Sequence, residues 1–307
     1  MKLSIISPVY KAANILPTLV ARIAEVCETI ELDYEIILVN DNSPDNAWDV
    51  IQTLTAKYPT LKGLSLSKNF GQHYAITAGI SRATGDSIVI MDCDLQDNPL
   101  YIKELLNKQK EGFNIVCTLK EQKKYSWYRR LTSDLYFFLV NKLSDIKLEK
   151  NLGTMTLIDR KVASEYLKIG DYHRHSSMVF AWLGFKRGFV SMKHEERFEG
   201  KSSYNLRKLV SHAINGVISQ SDKLLRWSIS VGLVLFLAAI AGVAYILIRS
   251  FFYKFEVGWP SLVVLILFTT GIILFMVGIL GIYIGKIFEQ VKNRPLFIIS
   301  EEAGVWE

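Results

Sequence analysis

The stretch Ser87-Ile88-Val89-Ile90-Met91-Asp92-Cys93-Asp94-Leu95-Gln96-Asp97 decides the fold class. It opens with a short run of branched apolar residues, the pattern of a strand buried on both faces. It then breaks into carboxylates. The same pattern recurs at residues 35–39, Glu-Ile-Ile-Leu-Val, which stop at the dense turn signal Asn40-Asp41-Asn42-Ser43-Pro44. Residues 3–7, 61–66 and 115–119 are three further short apolar runs. Between the runs, residues 15–30, 47–58 and 72–83 show helical spacing, the first with Leu16, Leu19, Val20, Ile23 and Val26 on one face. Strands alternating with helices predict an α/β fold, Rossmann-like, with a mostly parallel sheet and right-handed crossovers. Ligands of such sheets bind beyond the carboxyl ends of the strands. Asp41 and Asp92 both fall on that edge.

Outward from this core, the composition changes. The 307 residues are 50% hydrophobic and 21% charged, slightly below the roughly 25% charged residues of soluble domains. Residues 227–248 and 257–285 contain no Asp, Glu, Lys or Arg. Each run exceeds the ~20 residues that span a bilayer core. A wholly soluble protein and a disordered one are thereby excluded. So is a protein made only of membrane spans, because the N-terminal part is long enough for its own core. The expected organisation is an N-terminal domain at 1–200, with an amphipathic interface helix near 129–143. A juxtamembrane segment at 201–226, two spans at 227–248 and 261–285, and a cytoplasmic tail at 286–307 follow.

Charge and cysteine usage set the compartment. The net charge is +6, from 36 Lys plus Arg against 30 Asp plus Glu, which fits nucleotide or lipid phosphates and the inner face of a membrane. No nucleic-acid motif is present, and nucleic acid is not an expected partner. Arg207, Lys208, Lys223 and Arg226 precede the first span, and Lys286, Lys292 and Arg294 follow the second. The connecting loop holds only Arg249 and Lys254. This bias places both outer flanks inside. Cys27, Cys93 and Cys117 form no CxxC pair, as in a reducing compartment. The N-terminal apolar run is too short for a signal peptide. The expected location is the inner cell membrane, multi-pass, with the N-terminal domain in the cytoplasm. Small residues at Gly278, Gly281 and Gly285 would let helices of a homo-oligomer pack closely.

Four clusters carry chemistry. Asp92 and Asp94, one residue apart at a strand end, can share a hard divalent cation, Mg²⁺ or Mn²⁺, that in turn binds phosphates. A polar turn capping the next helix is the plain alternative. Asn40-Asp41-Asn42-Ser43 can accept hydrogen bonds from a base or ribose, or simply close an Asx turn. Lys68-Asn69-Phe70-Gly71-Gln72-His73 is a strand-to-helix turn able to face phosphate, with His73 structural or shaping rather than a proton shuttle. Arg197, Gly200, Lys201, Ser202, Ser203 and Tyr204 form a basic loop that can grip a phosphate or merely anchor the chain at the membrane. Lys120, Lys123, Lys124, Arg129 and Arg130, interleaved with Tyr125, Trp127 and Tyr128, suit a headgroup layer.

Together Ser7-Pro8-Val9-Tyr10, Val39-Asn40-Asp41-Asn42-Ser43, Asn69-Phe70-Gly71-Gln72, Asp92-Cys93-Asp94-Leu95-Gln96-Asp97 and Arg197-Phe198-Glu199-Gly200-Lys201-Ser202-Ser203-Tyr204 resemble the family 2 glycosyltransferases. More narrowly, the chain resembles the polyprenyl-phosphate glycosyltransferases. Residues 281–295 are similar to the tail of the bactoprenol branch. The resemblance implies a GT-A fold, a nucleotide-sugar donor (a UDP-sugar), Mg²⁺ or Mn²⁺, and a polyprenyl-phosphate acceptor such as undecaprenyl phosphate. It implies that Pro8, Tyr10, Asp41 and Lys68 hold the nucleotide, with Asp92. It implies that Asp92 and Asp94 hold metal and diphosphate while Gln96 faces the sugar, these three being the catalytic set. Arg129, Arg197, Lys201, Ser202 and Tyr204 would close over the donor diphosphate or acceptor phosphate. The implied reaction is inverting transfer of one hexose, such as glucose, feeding lipopolysaccharide or another surface glycan.

One departure stands out. Where the family often reads Gly-Asp-Phe-Arg-Leu, this chain reads Gly153-Thr154-Met155-Thr156-Leu157. An acidic residue and an arginine are replaced by threonines. A phosphate monoester, with a second pKa of about 6, is already anionic near neutral pH and can attack without a base. Asp159 is a weak substitute for the missing acid. Two rivals remain: a processive polysaccharide synthase, whose Gln-x-x-Arg-Trp is matched only by Lys223-Leu224-Leu225-Arg226-Trp227, and an inactive membrane-anchored nucleotide-sugar binding protein.

Overall fold

The computed structural model describes residues 1–120, 149, 151–172, 174–192, 223–252 and 258–306. They form two compact units: one made of the residues up to 192 together with those from 294 onward, the other of those between 223 and 293. The expected interface helix at 129–143 lies outside the described residues, as does nearly all of the juxtamembrane segment.

The first unit alternates as the sequence predicts. β1 (Lys2–Val9), α1 (Leu16–Ile30), β2 (Asp33–Asn40), α2 (Ala47–Lys57), β3 (Leu61–Leu66), α3 (Gln72–Arg82), β4 (Ser87–Ile90), α4 (Tyr101–Lys110) and β5 (Ile115–Lys120) follow in order. β6 (Leu152–Asp159), α5 (Arg160–Lys168), α6 (Ser176–Trp182) and β7 (Arg187–Met192) complete the run, and β8 (Ile299–Ala303) lies near the C-terminus. The sheet order is β7-β5-β6-β4-β1-β2-β3-β8. β1 pairs in parallel with β2 and β4, β2 with β3, and β5 with β7. β6 runs antiparallel between β4 and β5, and β8 runs antiparallel on β3.

Alternation of side chains along each strand fills both faces. Leu3, Ile5, Ile36 and Leu38 meet α1, α2 and α4 on one side, while Ile6, Ile37 and Val39 meet α3, α5 and α6 on the other. Gly79 lets α3 approach the sheet closely, since a Cβ there would sit 2.4 Å from Ile6 Cγ2 and 3.3 Å from Val39 Cγ2. Gly79→Ala should therefore lower stability by about 1–3 kcal/mol, the usual cost of an overfilled core. Thermal melting of the detergent-solubilised protein checks this, and an unchanged midpoint would refute it.

At the start of β2, Glu35 is buried and accepts hydrogen bonds from Ser4 Oγ at 2.6 Å, Lys62 Nζ at 2.8 Å, and the Thr84 amide and hydroxyl at 2.6 and 2.9 Å. Burial alone would raise its pKa. The Lys62 ammonium and the Ser4 and Thr84 donors outweigh that and hold it at about 2.

The expected tail at 286–307 is a correction. Residues 286–291 still belong to the last helix, and β8 is a strand of the catalytic sheet. Glu301 accepts from Trp48 Nε1 at 2.9 Å, Glu302 pairs with Arg82 at 2.6 Å, and the Trp306 ring lies 5.2 Å from Lys62 Nζ. β8 reads Ile-Ser-Glu-Glu-Ala, which carries no alternating apolar signal because it covers an edge rather than a core face.

The second unit contains α7 (Lys223–Phe252) and α8 (Trp259–Val291). Both are long and apolar enough to cross a membrane, with candidate spans at Leu225–Gly242 and Leu262–Val291. Leu233, Phe236, Leu267 and Phe275 are each more than half exposed on them, a surface that soluble proteins rarely present.

Candidate active site

The sheet order places a topological switch between β1 and β4, because β2 leaves β1 on one side and β4 lies on the other. Val9 is opposite Asn40 and Ile6 opposite Ile90, so β1, β2 and β4 end at one edge. The loops that follow enclose a cavity of about 350 Å³ lined by Pro8, Val9, Tyr10, Asp41, Asn69, Gly71, Gln72, Asp92, Cys93 and Asp94. Three pieces of backbone there adopt the left-handed region without glycine: Lys11 at φ 55°, Asn42 at φ 47° and Leu95 at φ 56°. Such conformations concentrate at functional sites. The buried side chain of Leu95 anchors the turn that carries Asp94.

The paired carboxylates project from this turn. Asp92 Oδ1 accepts from Gln72 Nε2 at 2.6 Å, which ties β4 to the first turn of α3. Asp94 Oδ1 accepts from the Gln96 amide at 3.1 Å. Burial, then the nearby charges of Asp94 and Asp97, push the Asp92 carboxyl up to about 7, with Lys120 and Thr154 opposing. Three crowded carboxylates favour a bound cation, and their hard oxygens fit Mg²⁺ or Mn²⁺. Among the described residues no group of three or more His, Cys, Asp or Glu is arranged to enclose a metal. Asp92 and Asp94 fit such a cation, which would draw its other ligands from outside the protein.

Asp41 is buried, and its two oxygens accept the Phe70 and Gly71 amides at 2.7 and 2.8 Å. Burial pushes its pKa up and the two amides partly offset this. It lines the cavity while holding the 69–71 turn, where Gly71 sits at φ 105°, a conformation few side chains tolerate. Tyr10 is 45% exposed at the cavity mouth. The remaining expected residues are placed differently. Lys68 lies 4.8 Å from the Phe70 ring and is not on the cavity wall. Gln96 is half-buried on the same turn as Asp94 and also does not line the cavity. Arg129, Arg197, Lys201, Ser202 and Tyr204 lie outside the described residues.

His73 packs away from proton chemistry: its Nδ1 accepts the Ser176 amide at 3.3 Å and its ring lies 4.0 Å from that of His175. Asp159 is a correction. It caps α5 by accepting from the Val162 amide at 2.7 Å and from Asn114 Nδ2 at 2.7 Å. It also pairs with Ser87 at the far end of β4, so it cannot replace the missing acid. Thr156 is buried, with its hydroxyl on Cys117 Sγ at 3.9 Å. Sequence reasoning missed Gln72 as a partner of Asp92, and Cys93 on the wall. The Cys93 thiol is pushed up to about 12, by burial first and then by Asp92, so it stays neutral. Gln72 was recoverable as the first helical residue after the 69–71 turn.

A nucleotide-sized cleft at a sheet switch point, floored by paired aspartates, defines a glycosyltransferase of the GT-A fold. Residues 4–167 match the family model for Glycosyl transferase family 2. An uncharacterized glycosyltransferase of Synechocystis sp. is 33% identical over 307 residues, covering 99% of this chain and 96% of that protein. The bactoprenol glucosyl transferase of Shigella phage SfII is 32% identical over 305 residues, covering 98% of each. Mannosyl-3-phosphoglycerate synthase from Rubrobacter xylanophilus shares the fold, with TM-score 0.53 and 17% identity over 76% of this chain and 75% of that one. The chain belongs to glycosyl transferase family 2, and its near-full-length relatives include bactoprenol glucosyl transferases, of the polyprenyl-phosphate group that the sequence motifs resemble.

Proposed function

We propose that this enzyme transfers a single hexose, such as glucose, from a UDP-sugar to a polyprenyl phosphate, with inversion, at the cytoplasmic face of the membrane. The observation that carries the reading is the Asp92–Asp94 pair at the open edge of the sheet, in a chain whose full length aligns with bactoprenol glucosyl transferases. A phosphate oxygen of the acceptor attacks the anomeric carbon as the bond from that carbon to the nucleoside diphosphate breaks. The departing diphosphate takes the electron pair. A divalent metal held by Asp92 and Asp94 would neutralise the charge developing on it. Tyr10, Pro8 and Asp41 shape the nucleotide end of the cleft. Gln72 steadies Asp92 from below. No carboxylate need deprotonate an acceptor that is already anionic near pH 7, which accords with Thr154 and Thr156 in this chain.

Support for membrane placement comes from connectivity. The sheet unit contains segments on both sides of α7 and α8, so both outer ends of a spanning pair must emerge on one side, and the flanking basic residues favour the inner one. The test is the purified full chain with undecaprenyl phosphate, a panel of nucleotide sugars and Mn²⁺ or Mg²⁺, read by lipid mass spectrometry. One new lipid phosphate carrying a single hexose is expected. A long polymer instead would favour a processive synthase, and nucleotide binding with no lipid product an inactive binding protein.

Two protein carboxylates leave most of a cation's shell to other ligands. Mn²⁺ should therefore bind at least about tenfold more tightly when UDP is present. Titration of Mn²⁺ with and without UDP checks this, and equal affinities would contradict the shared-ligand arrangement.

A further inference from the structure

The parallel ladder between β1 and β2 does not stop with the sheet. Its register ends at Val9 and Asn40, and side chains then carry it on. The Asp41 amide donates to the Val9 carbonyl at 3.0 Å. Two residues further, the Lys11 amide donates to Ser43 Oγ at 2.7 Å, and beyond it the Ala13 amide donates to Asp45 Oδ2 at 3.0 Å. Ser43 is itself held in place. Its amide donates to Oδ1 of buried Asn40 at 3.1 Å, and Asn40 Nδ2 donates to Ser65 Oγ on β3 at 3.1 Å.

Tyr10 lies inside this clasp. Of the two peptide groups that flank its Cα, one is held through the Val9 carbonyl and the other through the Lys11 amide. Peptide groups are planar, so fixing both fixes the two backbone torsions of Tyr10 and the direction in which its side chain leaves the chain. That side chain lines the cavity beside Pro8 and Asp41. Lys11, at φ 55°, holds a conformation that residues with a Cβ disfavour, and the turn needs an outside partner to keep it. The Ser43 hydroxyl is that partner, from 32 residues away.

We propose that Ser43 is a positioning residue for the nucleotide: its hydroxyl, acting through the Lys11 amide, sets the Tyr10 ring as the face on which the base of the donor stacks. The proposal rests on the reading of this cleft as a nucleotide-sugar site. It gives Ser43 no contact with the nucleotide, and the whole of its effect passes through Tyr10. Without the hydroxyl the 10–11 peptide is free to turn, and the ring loses its preset orientation.

The test is a double-mutant cycle on the full-length protein in detergent. UDP binding is measured by calorimetry with Mn²⁺ present, and donor KM and kcat are measured in parallel. Ser43→Ala should weaken UDP binding about three- to tenfold, the range of one net hydrogen bond, and raise donor KM by a similar factor with little change in kcat. Ser43→Thr keeps the hydroxyl and should stay within about twofold of wild type, the usual scatter of such comparisons. Tyr10→Ala removes the stacking face and should cost about tenfold or more in UDP affinity. In the Tyr10→Ala background, Ser43→Ala should add less than about twofold, because the residue through which it acts is gone. Unchanged UDP binding in Ser43→Ala, whatever its melting temperature, overturns the proposal. So does an equal loss in both backgrounds, or a Tyr10→Ala protein that binds UDP as the wild type does. Wild-type protein that binds no UDP refutes the nucleotide reading and the proposal together. Wild-type protein that binds UDP yet makes no lipid product refutes the acceptor reading alone, since the cycle is read without acceptor.

Discussion

Asp94→Asn should reduce sugar transfer by roughly 10²–10³-fold or more, the scale of losing one preorganised electrostatic contact to a developing charge, and leave the protein folded. The geometry explains both halves. Asp94 is half-buried at the cavity wall, and one oxygen accepts the Gln96 amide at 3.1 Å. The amide oxygen of asparagine can accept that same bond, so the turn keeps its shape. What disappears is the second negative charge next to Asp92, and with it one of the two carboxylates of a hard-cation site. Asp92 is a less clean target, because it accepts a bond from Gln72 and its loss would also loosen the start of α3. The measurement is lipid product per unit time, with the melting temperature as control. Transfer within threefold of wild type would end the metal assignment.

Glu35→Gln is expected to cost about 3–5 kcal/mol of stability, because it strands the Lys62 ammonium inside the protein. Lys62 is 5% exposed, and Glu35 2%. A neutral side chain at 35 deprives Lys62 of its carboxylate counter-charge, and the ring face of Trp306 at 5.2 Å offsets little of that loss. Acid should act in the same direction. The pKa of Glu35 is held at about 2 against an ordinary 4.5. Its contribution is therefore complete above about pH 4.5 and is lost as the pH falls toward 2, some 3 kcal/mol in all. Denaturant titration across that range should show the wild type losing stability steeply, with Glu35→Gln flatter. A penalty under about 1 kcal/mol, within the ordinary range of exposed pairs, would mean that water already solvates the cluster.

Much of the first unit was legible because its central strands announce themselves. Residues 35–39 and 87–91 are buried on both faces and so read as unbroken apolar runs, and their ends mark the ligand edge directly. Asp92 and Asp94 follow from that edge alone. β6 was harder, because Gly153, Thr154 and Thr156 interrupt its apolar pattern at the sites where it approaches Thr118 and Cys117. The bond between Thr154 and Asp97 spans 57 residues of sequence, and no local periodicity encodes it. Asp159 was misassigned although the turn before α5 has the usual signature of a side chain capping a helix. β8 was missed because an edge strand bounded by solvent needs no hydrophobic alternation.

That strand has a consequence for how the protein is made. β3 emerges from the ribosome long before its edge partner β8, which follows both apolar helices. Until then its outer hydrogen-bonding groups stay open, and open edges are where nascent chains stick to one another. A chain broken off anywhere before residue 299 leaves that flank permanently bare. β8 thus closes that edge only in polypeptides that already carry both apolar helices.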